Sequence, residues 1–199
     1  MILFQLKNHL GLQIFNLNVP IFKFFYKVIN TKTALIYGSD TGITELVVTL
    51  ITKELDIELD IIEVFTIKPE DFDRYDKIII GVPTWYDGDL QSDWEDFYPD
   101  FKKINFDNKK VCFFGLGDQY GYPDNFVDGI GILAKVVLEN GGEVFGHWPN
   151  EGYEFNESLG LMNDDFFYGL VIDEDNQQEQ TDGRIKKWVK EIRTTLNQN

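Results

Sequence analysis

Cysteine occurs once among the 199 residues, at Cys112, so a disulfide framework and a multi-thiolate metal site are both excluded. Its place in an apolar run marks it as a small core residue. Histidine occurs twice, at His9 and His147. Neither stands in a nucleophile motif or at metal-ligand spacing, and His147 reads as a strand-end or surface residue. Bases are scarce: 18 Lys and Arg face 34 Asp and Glu, for a formal charge of −16. So acidic a chain is a poor match for nucleic acid, whose phosphates demand cations. Long apolar runs are missing too. The longest uncharged stretch, Asn8 to Phe22, has 15 residues and includes Asn, Gln and Pro20, which is too short and too polar for a membrane span. Neither GxxxxGK[ST] nor GxGxxG occurs, which removes the nucleotide P-loop and the dinucleotide fingerprint.

What is present divides in two. Residues 1–30 hold Lys7, Lys23 and Lys27 and no acid, which leaves 15 bases against 34 acids in the remainder. The segment is rich in Phe, Leu and Ile, has no Arg or Ser, and shows no small-residue cleavage site, so signal and transit peptides fit it badly. It is expected to lie outside the fold. It reads as an over-extended start, with the domain beginning near Ile29–Lys32, or as a targeting or membrane-associating extension. Residues 31–199 then form one domain, a size that buries about 70% of the unfolded surface.

Along that domain strand and helix signals alternate. Ala34–Tyr37 is a buried strand leading to a helix-like stretch with apolar Leu46, Val47, Val48, Leu50 and Ile51. Ile57–Val64 alternates Ile57, Leu59 and Ile61 with acids, which suits an edge strand. Pro69-Glu70-Asp71 marks a connection. Ile78–Val82 and Val111–Phe114 are further buried strands. Gln91–Lys103 is predicted helical, with Trp94, Phe97, Tyr98 and Phe101 at core spacing. Asn125–Asn140 is a second helix, stopped at Gly141-Gly142. Thr181 or Asp182 caps a last helix with Ile185, Trp188, Val189, Ile192 and Leu196 inward. Val144–Trp148 and Gly169–Ile172 read as two halves of a fifth strand, interrupted by Asn150–Asp165. A loop of that length in a compact domain is often functional.

Three strand ends carry the chemistry. The first is followed by Ser39-Asp40-Thr41-Gly42-Ile43-Thr44, hydroxyl-rich, tight and without a cation, opening a helix. That layout offers backbone N–H groups and a helix N-terminus to a phosphate. Taken alone it also reads as a plain turn. The second end carries Pro83-Thr84-Trp85-Tyr86-Asp87-Gly88, and the third Gly115-Leu116-Gly117-Asp118-Gln119-Tyr120-Gly121-Tyr122. In an open parallel α/β sheet, ligands bind at those carboxyl ends. One phosphate loop beside two aromatics, Trp85 and Tyr122, suits a flat ring with a phosphate tail.

These residues resemble the flavodoxin family, in particular its long-chain branch. The resemblance is carried by Pro83-Thr84-Trp85 with Gly88, Leu90-Gln91-Ser92-Asp93-Trp94, Gly117-Asp118-Gln119, Gly121-Tyr122, Asp124-Asn125-Phe126 and Asp173-Glu174-Asp175-Asn176-Gln177. It spans roughly residues 32 to 197. It implies a three-layer, doubly wound α/β fold with a five-stranded parallel sheet of order 2-1-3-4-5. The long interruption would be the insert of long-chain members, an aid to partner recognition.

The ligand implied is FMN, since there is one phosphate loop and no adenosine-binding fingerprint. Ser39, Thr41 and Thr44 would offer hydroxyls to its phosphate, with backbone N–H groups from Asp40, Thr41, Gly42, Ile43 and Thr44. Trp85 and Tyr122 would sandwich the ring inside the loop Pro83–Gly88. Gly117 and Asp118 would meet its pyrimidine edge, and Asn125 and Asp175 the ribityl chain or ring periphery. A backbone carbonyl near Tyr86-Asp87 would accept a proton at the ring's N5. Here the chain departs from the family pattern, which has smaller or amide residues. If that turn needs φ > 0, tyrosine is strained in it.

The function implied is a low-potential one-electron carrier that shuttles electrons between redox enzymes in place of a ferredoxin. It would have no substrate turnover of its own, and a monomer is expected. Ferredoxin–NADP reductase, photosystem I, pyruvate oxidoreductase and nitrogenase are the partner types allowed. They would dock through basic faces, because Asp87, Asp89, Asp93, Glu95, Asp96 and Asp100 cluster near Trp85. The expected compartment is the cytoplasm, or a plastid stroma if residues 1–30 are a targeting segment. An FMN-dependent NAD(P)H or quinone-type reductase is the alternative. A response-regulator-like domain would need acids where the first strand ends in Tyr37-Gly38.

Overall fold

Ala34, Leu35, Ile36, Ile78, Ile79 and Ile80 are entirely excluded from solvent. Consecutive strand residues point to opposite faces, so unbroken burial demands cover on both, the situation of a parallel sheet between helices. The computed structural model describes residues 32–198 and shows that arrangement. Expectations for residues 1–30, including their placement outside the fold and the reading of His9, lie outside the described residues.

The elements run β1 (Thr33–Tyr37), α1 (Ile43–Leu55), β2 (Asp60–Glu63), β3 (Lys77–Trp85), β4 (Asp89–Leu90), α2 (Ser92–Phe101), β5 (Lys110–Leu116) and α3 (Asp128–Glu139). They continue as β6 (Glu143–Val144), β7 (Trp148–Pro149), β8 (Leu161–Asn163), β9 (Phe166–Phe167), β10 (Gly169–Ile172) and α4 (Thr181–Leu196). Strands β2, β1, β3 and β5 lie side by side in parallel. The fifth position is shared. Glu143 and Val144 pair with Lys110 and Val111, and Gly169–Ile172 pair with Phe113–Leu116, all parallel. The order 2-1-3-4-5 is therefore present, with the last strand in two pieces. Phe114 meets Trp188 of α4, ring centroids 6.5 Å apart, whereas a Cβ on the next residue, Gly115, would run into Ile130 of α3. The two helices thus cover opposite faces.

Helix faces follow the apolar spacing. Val47, Val48 and Ile51 of α1, and Ile185, Trp188, Val189, Ile192 and Leu196 of α4, are all buried. Trp94, Phe97 and Phe101 of α2 join Phe72 and Phe106 in an aromatic cluster with centroids 5.3–6.4 Å apart. Such pairs contribute about 0.5–1.5 kcal/mol each beyond area burial. Cys112 is a buried core residue, and burial pushes its thiol pKa well up.

Several sequence-based expectations are corrected. Pro83-Thr84-Trp85 is the end of β3, since Trp85 pairs back onto Asp89 of β4. The edge strand is shorter than Ile57–Val64: β2 covers Asp60–Glu63, Ile61 is 53% exposed, and Ile57, Leu59 and Ile62 pack against the core. The first half of the fifth strand stops at Val144, because Trp148 turns away to pair with Phe167. His147 is half-buried in the connection, and desolvation by burial lowers its pKa. Pro69–Arg74 forms a short 3-10 helix. Asn125 lies in a turn, with α3 beginning only at Asp128. Thr181 does not cap α4: the cap position is Gln180, and the Thr181 hydroxyl donates to Glu174.

The stretch 145–168 is folded. It forms a three-stranded antiparallel sheet in the order β7-β9-β8. Phe126, Tyr153, Phe155 and Phe167 pack ring to ring beneath it at 5.1–6.3 Å. Leu159 N donates to Asp128 Oδ1 at 2.6 Å, and a Cβ on Gly131 would sit 1.8 Å from the Leu159 carbonyl. The segment is pressed, backbone to backbone, onto the start of α3.

Candidate functional site

The carboxyl ends of β1, β3 and β5 open into one cleft of about 430 Å³. Its walls are Asp40, Thr41, Ile43 and Thr44 from the first connection, and Pro83, Thr84, Trp85 and Tyr86 from the second. Leu116, Gly117, Asp118 and Tyr122 come from the third, and Glu174, Asp175 and Gln178 from the segment after β10.

The hydroxyl-rich loop is shaped by glycine. Gly42 stands at φ +85° and is the N-cap of α1, so no side chain caps the helix there. That φ suits glycine, which has no Cβ to clash. Ser39 Oγ accepts the Gly42 N–H at 3.1 Å, which rounds the loop and leaves the Ser39 hydroxyl proton free to donate. An uncapped helix start carries a partial positive charge and free N–H donors, which together favour an anion.

The second connection is strained where the first is not. Trp85-Tyr86-Asp87-Gly88 is closed by Gly88 N donating to the Trp85 carbonyl at 3.2 Å. Tyr86 takes φ +44° and Gly88 φ +97°. A left-handed tyrosine costs roughly 1–2 kcal/mol in backbone energy. The Tyr86 ring is 62% exposed and lies against Trp85, centroids 5.8 Å apart. The Trp85 indole Nε1 is buried and has no hydrogen-bond partner among the described residues. Thr84 Oγ1 accepts from Gly129 N at 2.9 Å and fixes this wall to α3.

The third wall is held by carboxylates. Asp118 Oδ1 accepts from Gly121 N at 2.8 Å, Tyr120 N at 3.1 Å and Asn176 Nδ2 at 2.8 Å. Burial pushes the Asp118 pKa up, but these hydrogen bonds outweigh it and the net shift is downward. Asp175 moves the other way, raised by burial and then by the charges of Asp118, Asp173 and Glu174. Buried Asp173 ties the two segments together through Gln119 Nε2 at 2.7 Å and Asn176 N at 3.0 Å.

Of the residues singled out in the sequence, Asp40, Thr41, Ile43, Thr44, Pro83, Thr84, Trp85, Tyr86, Gly117, Asp118, Tyr122 and Asp175 line the cleft. Ser39, Gly42, Asp87, Gly88 and Asn125 do not. Gly42 shapes the hydroxyl-rich loop, whereas Asn125 packs under the turn at Gly88 and bonds Asp128 at 3.2 Å. Leu116, Glu174 and Gln178 were missed as lining residues. The segment Asp173–Gln177 carried part of the family resemblance, and the spatial return of the chain after β10 is what turns its neighbours into a wall.

Comparison with known proteins agrees with this geometry. The family model described as flavodoxin matches residues 35–188. The flavodoxin of Synechocystis sp. is 48% identical over 168 residues, covering 83% of this chain and 98% of that protein. Flavodoxin 1 of Escherichia coli is 43% identical over 165 residues, covering 82% and 94%. Among solved structures, Fusobacterium nucleatum flavodoxin bound to flavin mononucleotide superposes with a TM-score of 0.78 at 27% identity, covering 83% of this chain and 99% of that one. With the matched region spanning most of the chain, and with these relatives aligned over nearly their whole length, the protein belongs to the flavodoxin family.

Proposed function

We propose that the chain binds FMN in the cleft and works as a low-potential one-electron carrier between redox enzymes, with no substrate turnover of its own. One observation carries the reading: an uncapped, hydroxyl-lined helix start and the aromatic side chains of Trp85 and Tyr122 share a single cleft. The residues fit the group. Neutral hydroxyls and amides at residues 39–44 suit a phosphate dianion. Trp85 and Tyr122, from different walls, suit a flat ring between them. Once bound, FMN supplies the one-electron chemistry. Asp118, Glu174 and Asp175 line the cleft and disfavour added negative charge there, which favours a low potential.

The exposed acids Asp87, Asp89, Glu95 and Asp96 make this face the natural dock for basic redox partners, as the four partner types named above would require. The segment 145–168 is proposed as the long-chain insert, and the working form as a cytoplasmic monomer. No helix of the described residues is long and apolar enough to cross a membrane.

The test is titration of apoprotein with FMN, followed by protein fluorescence. One equivalent is expected to bind and to be released by acid. A preference for FAD, or no flavin binding, would overturn the proposal. Steady NAD(P)H oxidation by the loaded protein alone, without a partner enzyme, would favour the reductase alternative.

A further inference from the structure

Asp40 is an odd residue to find lining a cleft meant for an anion. A free carboxylate beside the loop hydroxyls would repel a phosphate dianion. Its Oδ1 is held from outside the cleft instead, by Gln91 Nε2 at 2.7 Å and Ser92 Oγ at 2.8 Å. These donors come from the start of α2, 51 and 52 residues along the chain.

Gln91 is completely buried, and its orientation is fixed. Its Oε1 accepts the Trp94 backbone N–H at 3.2 Å. A backbone N–H can only donate, so the amide oxygen must face Trp94 and the amide nitrogen must face the acids. The two protons on Nε2 match two carboxylates, Asp40 at 2.7 Å and Asp93 at 2.9 Å. Trp94 is itself anchored, its Nε1 donating to the Gly81 carbonyl at 3.0 Å. Gly38 leaves the room for this: a Cβ there would lie 2.0 Å from Gln91 Oε1. The clamp is therefore built into the backbone behind the loop.

We propose that Gln91, helped by Ser92, is a positioning residue that holds the Asp40 carboxylate off the phosphate and so sets the preference for a phosphorylated flavin. The proposal rests on the reading of residues 39–44 as the phosphate loop. Release of the clamp lets a unit negative charge turn toward a dianion bound at the same solvent-exposed loop. Repulsion of that kind weakens binding by about five- to tenfold. A flavin without the phosphate is indifferent to it.

The experiment measures dissociation constants of FMN and riboflavin for the apoprotein by fluorescence quenching. It compares wild type, Gln91→Met and Ser92→Ala, each with and without Asp40→Asn. Gln91→Met is expected to weaken FMN about five- to tenfold while riboflavin changes less than about twofold. Adding Asp40→Asn restores the wild-type ratio of the two affinities. Ser92→Ala shifts the ratio the same way by about twofold, since one donor remains. Equal weakening of both flavins by Gln91→Met, or a ratio still depressed in the double variant, overturns the clamp. If Gln91→Met does not fold, an unchanged ratio in Ser92→Ala overturns it. A wild type that binds both flavins equally removes the phosphate-loop reading itself, a separate failure.

Discussion

Two connections on the same sheet edge meet the same backbone demand in opposite ways. After β1 the chain needs one left-handed residue and has glycine there, Gly42 at φ +85°. After β3 it needs two, and has Tyr86 at φ +44° before Gly88 at φ +97°. In the first loop, residue type and backbone conformation agree. In the second they disagree, and the strain falls at a cleft-lining position, where strained backbone tends to collect. A relaxed loop can be built for tight, constant holding. A strained turn is easier to move, because its alternative conformation starts with a smaller deficit.

Substitutions can break or sharpen that contrast. The largest effect is expected behind the relaxed loop, at Gly38→Ala. Its new Cβ would strike Gln91 and lie 2.8 Å from Trp94 Cδ1, both fully buried. A loss of about 1–3 kcal/mol in urea unfolding of the apoprotein is expected, with weakened FMN binding alongside. Gly42→Ala comes next. Space is open there, with nothing within 4 Å of the added Cβ, so the cost of about 1 kcal/mol is conformational alone. An unchanged unfolding midpoint would mean that the loop readily abandons its positive φ.

In the strained turn the sign reverses. Tyr86→Asn puts a residue tolerant of the left-handed region where tyrosine is not, and it gives up only an exposed ring. Apoprotein stability is expected to rise by about 0.5–1 kcal/mol, by the same unfolding assay. A fall would show that the contact with Trp85 outweighs the backbone cost, and the contrast between the two loops would lose its energetic basis.

The smallest effects concern pH. Asp118 has a lowered pKa, so its stabilising contribution is present above the ordinary carboxylate value of 3.8 and is lost as pH falls through the lower folded value. Asp175 has a raised pKa, so its ionised form costs stability at neutral pH, and that cost disappears as pH falls through its folded value, above 3.8. Unfolding midpoints measured across the acid range should show a shallower acid loss in Asp118→Asn. They should show a small neutral-pH gain in Asp175→Asn.

Much of this was legible because it is local. Unbroken aliphatic runs marked β1 and β3, the 3- and 4-residue spacing from Ile185 to Leu196 marked α4, and a cation-free hydroxyl loop before a helix marked one wall of the cleft. What escaped depends on partners far along the chain. Trp85 looked like a loop residue because its pairing with Asp89 is a property of a hairpin, and Pro83 usually argues against a strand. Trp148 looked like part of the fifth strand because nothing nearby shows that Phe167 competes for it. Gln91 stood in plain view within a recognised motif, yet its task was invisible while Asp40 was only a letter 51 positions earlier.

The split last strand has a consequence for engineering. Val144 ends beside Val111 and Gly169 begins beside Phe113, so only the position opposite Cys112 separates the two pieces along the sheet. That gap is about 7 Å, the span of a single bridging residue. The whole excursion from 145 to 168 thus leaves and re-enters the sheet at nearly one point, like a side room with one doorway. A designer could remove it or exchange it for another module without re-routing any other strand. The remaining task would be to re-cover what the excursion now meets: the Phe126 ring, the start of α3 at Asp128 and Gly131, and the Trp188 indole, which donates to the Gly146 carbonyl.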